Sequence, residues 1–218
     1  METRTGFAPL PELTPEQLER LGCAINEVTP ALKRVLMEAQ AEGGQFRIRD
    51  CERGKAEQNA AVSRGASNTR WPTSAHNVLD PAVGAMAVDI APLDASQANN
   101  LAAYEEQARL VQGIAERNGI TIDWGGDWKS LVDGPHLEID GYRTVREQLS
   151  ERVRSGTTDP DALTLAVAEL QGNPLPTIEV AVEQPPALPA VASSEPLPPP
   201  ATPVSDASPT LSGGRGIG

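Results

Sequence analysis

The feature that most constrains the fold is a break in composition at Asn173. All seven aromatic residues lie upstream of it, between Phe7 and Tyr142, whereas 11 of the 20 prolines lie downstream. A segment without large apolar groups cannot bury enough surface to offset the entropy of ordering its backbone. Residues 173–218 are therefore expected to form an extended, polyproline-like tail or linker. The packed core is expected to end soon after Tyr142. A length of 218 residues suits one domain with an appendage.

The charge balance narrows the partners. Lys plus Arg is 18 and Asp plus Glu is 30, a net charge of −12. Phosphate backbones need a basic face, so nucleic acid is not expected as the main partner. The two cysteines, Cys23 and Cys51, are not in a CxxC arrangement, so a thiolate metal site is not expected and free thiols are the simpler state. The first 20 residues lack the apolar stretch of a secretory signal. No apolar run approaches membrane-spanning length. The expectation is synthesis in the cytoplasm, with any export by another route.

The order of elements predicts an α+β fold, with a small, mainly antiparallel sheet flanked by helices. Thr14, Pro15 and Gln17 read as a helix start with a capping box, and Thr29-Pro30 repeats the signal. Leu32, Val35, Leu36 and Ala39 mark the apolar face of that second helix, and Gly43-Gly44 stops it. Strands are expected over 45–50, 84–92, 120–124 and 136–140. Helices are expected over 55–65, from Ser96 to Gly119, and over 142–154 and 159–171, the last capped by Asp159. The long helix should bury Leu101, Tyr104, Ala108, Val111 and Ala115. This divides the chain into an N-terminal helical segment (1–24), a core (25–142), two closing helices (143–172) and the tail (173–218).

Only two histidines are present, and each has a carboxylate at a suggestive distance in sequence. His76 precedes Asp89 by 13 residues, and His136 follows Asp133 by three. Two imidazoles and one carboxylate make a ligand set for catalytic zinc, the fourth position being left to water. A further carboxylate beside that water is what metal-assisted hydrolysis requires. Blander readings exist. A histidine is often a hydrogen-bonded core residue, Asp89 would serve as a strand-end cap, and Asp133 as a turn residue before Gly134-Pro135. Asp89 does lie in an apolar strand, where an unpaired carboxylate is costly. Trp124 and Trp128 read equally well as core anchors.

The ordered series Ser74-x-His76, "AVDI" with Asp89, "WGGDW" at 124–128, and Asp133-x-x-His136 resembles the zinc peptidases of peptidoglycan. That family includes D-alanyl-D-alanine carboxypeptidases and phage L-alanyl-D-glutamate endopeptidases. Upstream, Arg53, Gln58 and Gly65-Ala66-Ser67 fit the same pattern, so the likeness spans roughly 25–142. The resemblance implies Zn2+ on His76, Asp89 and His136, with Asp133 as general base. It further implies a cleft lined by Ser74 and Gln58, and Arg53 holding a substrate carboxylate or carbonyl. The chain departs from the family in two places. Residues 78–84, "VLDPAVG", lengthen the gap after His76 and bring in Asp80 as a second-choice ligand. Cys51 and Glu52 replace the glycine and its neighbour ahead of the family arginine.

The leading expectation is a zinc peptidase of the peptidoglycan stem peptide, acting as a bacteriophage lysin, either an endolysin or virion-associated. Such a lysin would pass from the host cytoplasm to the periplasm or cell wall, or travel in the virion. The alternatives are a D,D-carboxypeptidase of cell-wall metabolism, a virion or tail component attached through residues 173–218, and a zinc-free carbohydrate-binding module.

Overall fold

Short apolar runs separated by capped helices fold here into a sheet flanked by helices. A computed structural model describes residues 2–180. In chain order the elements are β1 (Glu2–Thr5), α1 (Pro15–Leu21), α2 (Pro30–Ala41), β2 (Phe46–Asp50), α3 (Lys55–Ser63), β3 (Ala87–Pro92), α4 (Leu101–Arg117), β4 (Ile122–Trp124), β5 (His136–Ile139), α5 (Tyr142–Arg154), α6 (Pro160–Leu170) and β6 (Thr177–Val180). The main sheet has the order β2-β3-β5-β4, and all its pairs are antiparallel. The architecture is the α+β arrangement read from the sequence.

Alternation along the strands gives the sheet two different faces. Cross-strand partners share a face, so Ile48 with Ile90, Val88 with Leu137, Leu137 with Trp124, and Ile139 with Ile122 form an apolar side. This side belongs to one buried cluster with Leu32, Val35 and Leu36 of α2 and with Ala108, Val111 and Ile114 of α4. The opposite side carries Asp89 beside His136 and Asp123 beside Glu138. One irregularity decides what else reaches that side. Between Ile48 and Asp50 the β2–β3 register shifts, so Arg49 is an extra residue and Asp50 pairs with Asp89. Without this bulge Asp50 would follow Ile48 to the apolar face; with it, Asp50 joins the polar one.

Local chemistry explains several helix starts. Thr14 accepts from Gln17 N at 3.3 Å while the Gln17 side chain accepts from Thr14 N at 2.8 Å, the capping box expected. Asp159 accepts from Ala162 N at 2.8 Å. Thr29 departs from expectation: its side chain makes no capping bond, and its buried hydroxyl has no partner among the described residues. Thr29 N instead donates to Ala85 O, which docks the segment on the loop before β3. Gly84 permits this approach. It has φ +77°, and a Cβ there would lie 2.6 Å from the Val28 carbonyl carbon. The long helix begins at Leu101, not Ser96, because Asn100 caps it and Asp94 caps a separate single turn. Leu101 is consequently exposed, and Ile114 takes a buried place in the stripe.

The core does not stop near Tyr142. Val145 and Leu149 of α5 and Leu163, Ala166 and Val167 of α6 are buried in the same cluster, because aliphatic stripes pack helices without aromatic help. The strands β1 and β6 pair as a separate antiparallel ribbon, Thr3 opposite Glu179 and Arg4 opposite Ile178. Neither strand was expected. Four-residue segments such as "ETRT" carry no apolar alternation, so only their pairing defines them. The polyproline reading of the tail beyond β6 lies outside the described residues.

Candidate metal centre

Strand register builds the first half of the site. Asp89 on β3 and His136 on β5 are direct cross-strand partners on the polar face. His76 arrives from the loop between α3 and β3, which is tied down on every side. Arg53 N donates to His76 O at 3.0 Å and Met86 N to Ala75 O at 2.9 Å. Asn77 closes a turn by accepting from Ser74 N at 3.1 Å and donating to Arg53 O at 2.9 Å. Buried Arg146 of α5 donates to the carbonyls of Ser74 (3.0 Å) and Asn77 (3.1 Å).

Three ligand atoms converge. His76 Nε2 is 3.2 Å from His136 Nδ1 and 3.4 Å from Asp89 Oδ1, and His136 Nδ1 is 3.2 Å from Asp89 Oδ1. The far ring nitrogens fix the tautomers. His76 Nδ1 lies 2.6 Å from the carbonyl of Cys51, which only accepts, so this nitrogen carries the hydrogen. His136 Nε2 likewise donates to the Glu138 carboxylate at 3.0 Å. In the neutral rings, both facing nitrogens therefore present lone pairs, toward each other and toward a carboxylate oxygen.

Such an arrangement calls for a positive charge at its centre. Burial alone would lower the pKa of His136, but hydrogen bonds to Asp89 and Glu138 outweigh it and lift the value to about 9. Burial would raise the pKa of Asp89, yet its bonds to His136 and His76 hold it well below the usual carboxylate range. The groups that favour a proton here favour a metal cation equally. The geometry fits one: donors about 2.0–2.1 Å from a tetrahedral ion stand about 3.3–3.4 Å apart, close to the three edges of this triangle. All three residues are buried, and their ligand atoms lie within 4.8 Å of one another. The outer partners, Cys51 O and Glu138, are the kind that orient metal-binding imidazoles.

The remaining expected residues take varied positions. Asp133 lines two cavities that meet at the cluster, one of about 480 Å³ with Asp89 and Arg53, the other of about 120 Å³ with His76, His136 and Trp128. Burial and the charge of Asp89 raise its pKa, and the histidines and Arg53 oppose that only in part. Gly125 of the "WGGDW" segment sets this position. A Cβ there would lie 2.5 Å from Asp133 O and 3.2 Å from His136 Cβ, so only glycine lets the two segments approach. Arg53 lies at the site but is already engaged, with Nε on Asp50 at 2.6 Å and Nη2 on Asp89 Oδ2 at 2.5 Å. It thereby fixes the carboxylate whose other oxygen faces the histidines.

Ser74 is buried at the smaller cavity, its Oγ accepting from His76 N at 3.3 Å. Gln58 is fully buried, and its amide donates to Ser67 Oγ at 3.0 Å and to Thr69 O, bracing the loop that forms the cleft wall. Asp80 stands outside the cluster, its carboxylate accepting from Ala82 N at 3.0 Å within the loop. Trp124 is a core anchor, Nε1 donating to Gly134 O at 2.7 Å. Trp128 is half-buried, its ring centroid 5.0 Å from that of His136. Cys51 is a buried free thiol that donates to Glu27 at 2.8 Å, and burial together with that bond pushes its pKa up to about 12.

Four supporting residues escaped the sequence reading: Asp50, Asn77, Glu138 and Arg146. Glu138 carried a usable signal, since it lies two residues beyond His136 in a strand and so shares its face. Asp50 carried none, because its orientation depends on the bulge.

Comparison with known proteins bears on the same residues. Residues 69–139 match the family model described as D-alanyl-D-alanine carboxypeptidase. The segment includes Ser74, His76, Asp89, Asp133 and His136, and the likeness to peptidoglycan metallopeptidases is shown through it. The crystal structure of the Serratia marcescens L-Ala D-Glu endopeptidase ChiX aligns with a TM-score of 0.48 at 28% identity, covering 64% of this chain and 95% of that one. No curated protein matches.

Proposed function

We propose that the chain is a zinc-dependent peptidase that cuts within the peptide stem of bacterial peptidoglycan. The observation that carries this reading is the convergence of the lone pairs of His76, His136 and Asp89 at separations of 3.2–3.4 Å, suited to one tetrahedral cation. The family match over residues 69–139 supports the peptidase class.

His76, Asp89 and His136 would hold the zinc, which when bound supplies a Lewis acid for the scissile carbonyl and lowers the pKa of water. The chain's own groups do the rest. Asp133, half-buried and with a raised pKa, is a stronger base than a solvated aspartate. It takes the proton from the attacking water and returns it to the leaving amine. Arg53 holds Asp89 in its orientation by binding the oxygen that does not face the histidines. Trp128 covers one side of His136 and limits access by bulk water.

The cleft supports endopeptidase action. The two cavities share Arg53, Ala66, Leu131 and Asp133, so space extends on both sides of the general base. A carboxypeptidase needs one closed end that grips a terminal carboxylate; an endopeptidase must admit peptide on both sides. The description of the matching family favours the carboxypeptidase as second reading. Digestion of purified sacculi separates the two. New N-terminal D-glutamate supports the endopeptidase, free D-alanine the carboxypeptidase, and no released terminus with zinc present overturns both. A bacteriophage lysin is the biological setting we attach to this activity on the sequence resemblance, and lysis of whole bacteria by added protein tests it.

A further inference from the structure

The cavity of about 480 Å³ carries three arginines, Arg49, Arg53 and Arg64, and they are not equivalent. Arg53 is bound to Asp50 and Asp89. Neither Arg49 nor Arg64 has a side-chain hydrogen bond or ion pair among the described residues. The carboxylates on the same wall are otherwise engaged. Asp50 and Asp89 accept from Arg53, Glu57 accepts from Gly54 N at 3.1 Å, and Asp133 is assigned to the reacting bond.

The backbone explains why these two side chains reach the cavity. Arg49 is the extra residue of the β2 bulge, freed from the alternation that sends Ile48 to the core. Arg64 is the C-cap of α3 and lines the same cavity. A cation at a helix C-terminus is favoured by the dipole, but that accounts for one charge and not for a second lining the same cavity. Two guanidinium forks with no bonded anion among the described residues, beside the proposed reaction centre, form a receptor for a planar anion.

We infer that Arg49 and Arg64 are specificity-determining residues that bind a free carboxylate on the substrate residue occupying this half of the cleft. The inference rests on the peptidase reading and sharpens it: the favoured substrate bears an uncommitted carboxylate close to the scissile bond, and its carboxamide counterpart is disfavoured.

Two synthetic peptides containing an L-Ala–D-Glu bond provide the test. They are identical except that the D-Glu carboxyl outside the chain is a free acid in one and a carboxamide in the other. The zinc-loaded wild type is expected to cleave the acid with a kcat/KM roughly tenfold or more above the amide. This ratio should fall to about one in the Arg49→Gln/Arg64→Gln double variant and be partly kept in Arg49→Lys/Arg64→Lys. Because the readout is a ratio, partial misfolding of a variant does not mimic the effect. A wild-type ratio near one, or an unchanged ratio in the glutamine variant, overturns the inference. If the wild type cleaves neither peptide, the endopeptidase reading fails, and calorimetric titration with the same peptides decides separately. Tighter binding of the acid that disappears in the glutamine variant upholds the anion site; equal binding or none removes it.

Discussion

The two faces of the four-stranded sheet are built from the same strands yet held by different physics. On the helix side, Val88, Ile90, Leu137 and Ile139 are buried among aliphatic neighbours, and their stabilisation follows apolar area. On the cleft side, Asp50, Asp89, His136 and Glu138 put ionisable groups into a partly buried site, where each depends on a specific partner. The apolar face tolerates exchange of one aliphatic side chain for another of similar volume. The polar face tolerates almost none, because loss of one group leaves its partners buried and unpaired. Stability and chemistry are thus separated by the period-two alternation of a few strands.

The largest test of this contrast is removal of a ligand. His76→Ala or His136→Ala should abolish zinc binding and hydrolysis together, read by metal analysis and by release of peptide termini from sacculi. A variant that keeps stoichiometric zinc and activity would dissolve the proposed centre. Asp133→Ala comes next, with kcat expected to fall by roughly 10²–10⁴-fold while zinc is retained. In the wild type, the acid limb of the pH–rate profile should lie above the ordinary aspartate range, because the pKa of Asp133 is raised by burial and Asp89.

On the opposite face, Leu137→Ala should cost about 2–5 kcal/mol in denaturant unfolding and leave zinc stoichiometry at one per folded molecule. Loss of metal at unchanged stability would show that the faces are not separable. Glu138→Gln is a smaller perturbation, expected to weaken zinc affinity roughly 10–100-fold by loosening the orientation of His136. Competition with a chelator measures it, and unchanged affinity would exclude Glu138 from the site.

The gentlest test is pH. In chelator-treated protein the folded-state pKa of His136, about 9, exceeds its ordinary 6.5. A group whose pKa rises on folding contributes fully below its unfolded value and loses that contribution as pH climbs through the folded one. The Tm should therefore decline between about pH 6.5 and 9, whereas the contribution of Asp89 is complete above the ordinary carboxylate range and is lost progressively as pH falls from that range toward its lower folded-state value. A flat Tm across the upper window would mean that no charge is stored on His136.

Much of this was legible before any fold was known. Ligand types, the "AVDI" strand, the capping box at Thr14 and the Asp159 cap are local facts, set by side-chain chemistry and by neighbours within four residues. Long-range pairing was not legible, since it has no local pattern to read. The β1–β6 ribbon, the packing of α6 on the core and the role of Arg146 more than 65 residues from the carbonyls it binds belong to this class.

By itself, the sequence determined which atoms were available to meet a metal and which segments of the main sheet and its helices would be strand or helix, because donor chemistry and alternation are properties of short stretches. Only the tertiary structure decided that Asp50 faces the site, that Arg53 serves Asp89, and that Arg49 and Arg64 have no anionic partner among the described residues. A single bulged residue sets the first of these and the packing of distant segments the others, and neither leaves a trace in local composition.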